Sequence, residues 1–523
     1  MRGTPSGERM ETRPLYVEEW LDSLPYIDFG KTSRLLCEAI RLTNLQDLKP
    51  SVRLQLVDLY DRPYQYYVES QVRTGAHHTL QTMEAMQDQI EVLKLIAANL
   101  GCACRRVVDE TPKQKSLWRQ SRPPLQAMLY CLHYLAHALI FSFLEYAPVP
   151  AKIWRQLHFA YQFAEELGQA HAQLALPGAE SGITTTMALA YKRIVMASLA
   201  DPHHLPFGSI WEIYEKLPEW TEKVSMESFT ALDNAAGYFV VNLASDQRPT
   251  PYARFDPGAA GSAHRLINAA ALGELIRAEL KDSNGAPAAA KRLSPYFAQR
   301  VLTHVASAWD LPPERSSPRT NRKGIIGLAS GLSAAYFFLN GQQEFVSGES
   351  GEGVEVEWPE APHEAQVQYP MDKWQLVDQA RGGISLVRES KPDHGIRVGD
   401  LVVAGSTAEV KSDKPARYLP GVVRWLMIRR NRTYRMGIQF MPRPATPAAV
   451  RALSGSGVDT RFRRALLIAV PGATGQYSII TERGLHVPDR FLEIKTAAVT
   501  RKVRAGLLTE ATAGFDQFRI KPA

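Results

Sequence analysis

The 523-residue chain predicts an α+β protein: an N-terminal all-α bundle or solenoid, a small β-barrel after it, and an additional C-terminal β segment. Three observations carry that expectation. Over residues 14–230, apolar side chains recur every three or four positions, the period of an amphipathic helix. Beyond residue 324 the period falls to two, in short runs separated by Gly, Asn and Pro, as in a small barrel or sandwich. Between them lies "WDLPPERSSPRTNRKG" (309–324), where Pro312, Pro313 and Pro318 forbid continued helix. The expected divisions are a helical domain at 1–310, a barrel at 311–445 with an acidic insertion at 341–368, and a β segment at 460–523.

The helices follow in order. Residues 30–42 place Leu35, Leu36, Ala39 and Ile40 on one stripe, and 49–72 open with Pro50 at a helix-start position. Residues 79–100 space Met83, Met86, Ile90, Leu93 and Ile96 at the helical period. Residues 150–170 start on Pro150 and align Trp154, Leu157, Tyr161 and Ala164. A helix at 184–201 follows, then one at 208–220 with Ser209 as its expected N-cap. No clean 34- or 40-residue repeat is present. The pattern breaks at 239–243, which reads as one strand before a Pro-rich loop. It resumes as helices at about 262–282 and 293–309.

Composition is that of a folded soluble protein, 45% apolar and 22% charged. The net charge of +7 suits a phosphate-bearing partner without identifying one. The four cysteines, Cys37, Cys102, Cys104 and Cys131, have no structural-zinc spacing and read as reduced thiols, with no metal expected. The N-terminus lacks the apolar run of a signal peptide. Residues 125–146 approach membrane-span length but contain Gln126, His133, His137 and Glu145, so a buried helix is expected and no transmembrane segment. A cytoplasmic location follows as an expectation.

Two constellations carry chemistry. The first is Arg315-Ser-Ser-Pro-Arg319 in the linker, with Arg322 and Lys323 behind it. Guanidinium forks bind phosphates bidentately and stack on purines. The second is "DQARGG", 378–383, set in "KWQLVDQARGGISLVRES". A carboxylate just before a Gly-Gly turn can accept from the N1–H and N2–H₂ donors of guanine. The glycines permit positive φ and leave backbone N–H groups open to a phosphate. Taken alone, the second motif also fits a β-bulge whose Asp bonds its own turn.

Together, in this order and ahead of a small barrel, the two resemble the PilZ family of cyclic di-GMP receptors. The family pattern is Arg-x-x-x-Arg in a linker, then Asp/Asn-x-Ser-x-x-Gly on a strand. Arg315 and Arg319 match the first, and Asp378 and Gly383 match the ends of the second. "GVVRWLMI" and "YRMGIQFM" are similar to the family's closing hairpin, Val-x-Arg returning as Gly-Ile-x-Phe. The resemblance spans about 311–445 and implies cyclic di-GMP as ligand. It implies that Arg315 and Arg319 grip guanine and phosphate, that Asp378 reads a guanine edge and that Gly383 keeps the turn open. Arg322, Ala380 and Arg381 complete the expected ligand set. Ala380 stands where the family has Ser, and seven Glu without Lys or Arg fill the insertion.

The implied function is a cytoplasmic receptor without enzymatic activity, relaying nucleotide level to a protein partner through the helical domain. The alternative is an interaction scaffold whose degenerate barrel takes no nucleotide. Residues 424–464 hold ten Arg and one acid, with Arg429, Arg430, Arg432 and Arg435 around a hairpin tip at Asn431. Only Trp425 and Tyr434 lie near as aromatics, so no nucleic acid is expected. No hydrolase, zincin, P-loop or dinucleotide motif is present, so no catalytic residue is expected. Asp246 reads as a loop cap. Trp154 with Tyr161, and Trp211 with Tyr214, read as core.

Overall fold

The computed structural model describes residues 9–73, 83–111, 122–178, 183–282, 295–310, 318–345, 369–392, 395–406, 418–429, 431–453, 461–473 and 475–523. Arg315, Arg430 and most of the acidic insertion (346–368) lie outside the described residues. The chain forms two compact units: 1–284 with 301–313, and 285–300 with 314–523.

The first unit opens with α1 (Pro14–Asp22), α2 (Phe29–Asn44), α3 (Pro50–Tyr67), α4 (Met83–Glu110) and α5 (Arg122–Leu144). Next come α6 (Ile153–Glu166), α7 (Met187–Leu199) and α8 (Ser209–Trp220). Their starts follow local chemistry. Asp28 caps α2 by accepting from Lys31 N at 2.9 Å, and Thr186 caps α7 from Leu189 N at 3.1 Å. Asp246 is a cap, as expected: its carboxylate accepts from Lys152 N at 2.8 Å and Arg155 N at 3.0 Å, at the head of α6. The N-cap of α8 is Gly208, not Ser209. Gly208 takes φ +87°, and Ser209 is the first helical residue, buried with its Oγ unpartnered. Helix α5 is long and apolar enough to cross a membrane by composition. It is instead the buried centre of this unit, with Leu132, Leu139, Ile140 and Phe141 fully covered. Trp154, Tyr161, Trp211 and Tyr214 are buried with it.

This unit also carries strands. Besides the short pair β1 (Leu174–Ala175) and β2 (Thr184–Thr185), a four-stranded sheet forms from β3 (Ser225–Ser228), β4 (Tyr238–Asn242), β5 (Thr250–Pro251) and β6 (His264–Asn268). Its order is β3-β6-β4-β5. The expected lone strand at 239–243 is therefore one of four. The helix expected from 262 begins only with α9 (Ala270–Asp282). Residues 264–268 pair with β3 on one side and β4 on the other, and that pairing overrides their local pattern. Helix α10 (Pro295–Asp310) ends just before Pro312 and Pro313, and is divided between the units at Arg300.

The second unit holds two closed barrels. The first joins β8 (Ile325–Ser330), β9 (Asp372–Ala380), β10 (Gly383–Arg388), β11 (Leu401–Ser406), β12 (Tyr418–Ile428) and β13 (Tyr434–Phe440). The order is β10-β13-β12-β11-β8-β9, and β9 pairs back to β10. A short strand β7 (Thr320–Asn321) adds to the edge of β9. Trp374, Ile384, Leu386, Val402, Val423, Leu426, Met436 and Ile438 are buried, and alternation turns them inward. The Val-x-Arg strand does return as Gly-Ile-x-Phe, in the β12–β13 pair.

The second barrel closes as β14 (Ala445–Ala452), β15 (Arg463–Ala469), β16 (Tyr477–Thr481), β19 (Asp516–Pro522), β18 (Thr500–Ala511) and β17 (Phe491–Lys495). It therefore starts at residue 445, ahead of the expected 460. Residues 332–339, within the region beyond 324 expected to hold short strands, form helix α11 (Leu332–Leu339). Gly331 at φ +95° ends β8, and Leu332, Ala335 and Phe338 then share one face at three-residue spacing. That face belongs to a core built by both barrels: Leu401, Val403 and Val422 of the first, with Leu466, Ile468, Ile480 and Phe515 of the second.

Candidate functional site

The site develops on the outer face of the first barrel and begins with an irregularity in β9. Leu376 pairs with Leu386, and Asp378 with Ser385, so Val377 has no partner on β10. This is a β-bulge. Residues two apart share a strand face, so in a regular ladder that paired Val377 with Ser385, Asp378 would point the way Trp374 does, into the barrel. The bulge turns Asp378 and Ala380 outward.

Registers then align a row across five strands: Asn321, Asp378, Ser385, Gly437 and Trp425. The next row holds Ala380, Gly383 and Gln439. Gly437 has no side chain because the Trp425 indole lies over it, where a Cβ would fall. The floor is thus made of Ala380, Gly383, Ser385 and Gly437. Asp378 flanks it on one side and the Trp425 indole on the other. Ser385 is fully buried, and its Oγ has no hydrogen-bond partner.

The linker comes to this floor through β7, whose Asn321 and Thr320 pair with Asp378 and Gln379. Arg319 Nη1 donates to Asp378 Oδ1 at 2.8 Å, with the two side chains 38% and 13% exposed. Arg322 Nη1 reaches Gln379 Oε1 at 3.4 Å, a weak contact. Arg381 is exposed in the two-residue turn, and Ala380 is half-buried beside it. The structure therefore gathers Arg319, Arg322, Asp378, Ala380, Arg381 and Gly383 on one hairpin and its edge.

The role expected of the glycines needs correction. Neither Gly382 nor Gly383 takes a positive φ. Gly383 is required by crowding instead: a Cβ there would collide with the Ile438 carbonyl oxygen of β13. Gly382 has open space, and its carbonyl accepts from Phe440 N at 2.8 Å.

Sequence reasoning missed Ser385, Trp425, Arg424 and Gln439 as members of this face. The polar Ser385 between Ile384 and Leu386 is a signal for the outer side of β10. No comparable signal marks Trp425, because the register shift in β12 after Val423 sets its direction. Arg424 Nε donates to Gln439 Oε1 at 2.7 Å, and its guanidinium grips Glu510 of β18 through Nη1–Oε1 at 2.6 Å and Nη2–Oε2 at 3.1 Å. At the tip of the β12–β13 hairpin, Asn431 Oδ1 accepts from Thr433 N at 3.2 Å. The nearby indole is turned to the floor and offers no stacking platform at the tip.

Such a floor can do two things chemically. The part of the strip not covered by the indole, at Ala380 and Gly383, carries little side-chain bulk and can meet a planar ring, and the Asp378 carboxylate at its margin can accept from ring N–H donors. Guanidiniums beside it take phosphate oxygens. Among the described residues, no group of three or more His, Cys, Asp or Glu could hold a metal ion.

Comparison with known proteins agrees on family. Residues 16–231 match the model described as "Cyclic-di-GMP receptor FimW, N-terminal domain". Residues 238–355 match the FimW middle PilZ domain, and 448–523 the FimW C-terminal β-barrel domain. The middle match contains Arg315 and Arg319, whereas the 378–383 hairpin lies outside the three matched ranges. A curated relative, "Cyclic-di-GMP receptor FimW" of Pseudomonas aeruginosa, is 24% identical and aligns with 99% of this chain and 93% of its own length. With all three domains matched in order and the relative aligned nearly end to end, the chain belongs to the PilZ-containing FimW family.

Proposed function

We propose that this protein is a cyclic di-GMP receptor whose ligand lies on the outer face of the first barrel. The observation that carries the reading is the Arg319–Asp378 contact at 2.8 Å, which joins linker and hairpin at the edge of the small-residue floor. Asp378 accepts from guanine N1–H and N2–H₂. Arg319, with Arg315 four residues before it, takes phosphate and stacks on a base. A partly exposed ion pair is worth only about 0–1 kcal/mol. Hydrogen bonds to charged groups reach about 1.5–3 kcal/mol each, so a ligand can displace Arg319 from Asp378 with net gain.

The same linker leads to the helical domain, and its capture by ligand is the proposed route to a protein partner there. The protein acts in the cytoplasm as a receptor rather than an enzyme. Equilibrium dialysis against cyclic di-GMP and cyclic di-AMP tests the reading. Adenine presents an acceptor at N1 and has no amino group at C2, so it cannot offer Asp378 the paired donors of guanine. Retention of the guanine dinucleotide alone supports the proposal, and equal retention of both, or of neither, defeats it.

A further inference from the structure

Arg424 does not end at Glu510. Arg300 also donates to Glu510 Oε1, at 2.5 Å, so two guanidiniums share one carboxylate. All three side chains are largely covered, 35%, 29% and 13% exposed for Arg300, Arg424 and Glu510. The charged groups acting on Arg300 are Glu510 and Arg424, and those acting on Glu510 are the same two arginines. Among the described residues the cluster therefore carries one excess positive charge. Burial, then the neighbouring Arg424, lowers the pKa of Arg300, and the two arginines hold Glu510 low against the burial that would raise it.

The position of this charge matters. Arg424 reaches Gln439 through Nε, and Gln439 pairs in register with Gly383, which pairs with Ala380. The cluster thus borders the floor from the side opposite Arg319 and Asp378. It joins β12 of the first barrel to β18 of the second.

We infer that Arg424 and Arg300, with Glu510 as their shared counter-charge, form a second anion subsite that takes a phosphodiester oxygen of the nucleotide read by Asp378. The subsite rests on the function proposed above and extends it: the ligand spans the floor and touches the second barrel. The fixed fork of Arg424 is held by Glu510 and Gln439, leaving N–H groups unassigned for a phosphate. Glu510 tempers the site, because it cancels one of the two positive charges.

Calorimetric titration of the full chain with cyclic di-GMP tests this, with melting temperatures recorded for every variant. Arg424→Gln should weaken binding about tenfold, the worth of one charge-assisted hydrogen bond. Arg424→Lys should restore part of it. Glu510→Gln should tighten binding several-fold, a direction that damage to the fold would not produce. If Arg424→Gln and Glu510→Gln leave the affinity unchanged while Asp378→Ala abolishes it, the subsite is wrong and the receptor reading stands. If Glu510→Gln weakens binding at an unchanged melting temperature, the charge-excess account is overturned. If the native chain takes no cyclic di-GMP, both readings fall together.

Discussion

Asp378 stands directly opposite Ser385 across the β9–β10 ladder, and the unpaired Val377 before it is what puts it there. A one-residue change in register exchanges the two faces of a strand. Deleting Val377 should remove the bulge without such a change: Leu376 stays opposite Leu386 and Asp378 opposite Ser385, so the carboxylate keeps to the outer face. The expected outcome is cyclic di-GMP binding retained within about tenfold, about 1.4 kcal/mol, and a loss on the order of 100-fold would contradict this reading of the register. Calorimetry checks it, with circular dichroism confirming that the barrel persists.

Ala380 shares the outward face with Asp378 and Gly383. Ala380→Ser adds a hydroxyl at the floor margin, beside the buried Ser385. A gain of about tenfold in cyclic di-GMP affinity is expected, again the worth of one hydrogen bond to a charged phosphate. An unchanged dissociation constant would mean that the ligand does not reach this row.

The two adjacent glycines should behave differently. Gly383→Ala drives a methyl group into the Ile438 carbonyl and should cost about 1–3 kcal/mol, the scale of overpacking. Gly382→Ala meets nothing within 4 Å and should change stability by no more than about 0.5 kcal/mol. Paired urea titrations distinguish them. Equal costs would contradict the crowding explanation of Gly383.

Phe515 is fully buried in the core that both barrels build with α11. Phe515→Ala should cost about 3–5 kcal/mol. Hydrogen exchange should show β11 and β12 loosening together with β15 and β16. Loosening confined to the second barrel would contradict a shared core.

The first unit has a pH signature. Asp61 is buried, accepts from Tyr134 Oη at 2.8 Å, and has its pKa pushed up to about 6 by burial. Its folded value lies above the unfolded one of about 3.9. The folded state then binds the extra proton between those values, and stability falls as pH rises from about 4 to about 6. Asp61→Asn should remove that share of the slope, as measured by urea midpoints across this range. An unaltered slope would show that Asp61 does not carry the effect.

Much of this was legible in the sequence because it depends on local chemistry. Pro50 marks a helix start, Pro312 and Pro313 follow a helix end, and the apolar α5 reads as core. The Arg319 and Asp378 motifs, 59 positions apart in sequence, could be paired only through resemblance to a family, since charge runs and Gly-Gly turns have ordinary explanations. What stayed hidden depends on neighbours. Residues 264–268 look helical until β3 and β4 claim them. The direction of Trp425 follows from a register shift, and the meeting of Arg424 with Glu510 from packing between two barrels. The reason for Gly383 was misread because crowding by Ile438, a residue 55 positions away, leaves no local trace.

The central claim is that Arg319 and Asp378 serve one ligand. Its most direct test is calorimetric titration of the full chain with cyclic di-GMP, comparing the native protein with Arg315→Ala/Arg319→Ala and with Asp378→Ala. The account predicts a dissociation constant of about 1 μM or tighter, some −8 kcal/mol, lost in both variants at unchanged melting temperature. Absence of heat in the native protein, or binding that survives Asp378→Ala, would contradict it.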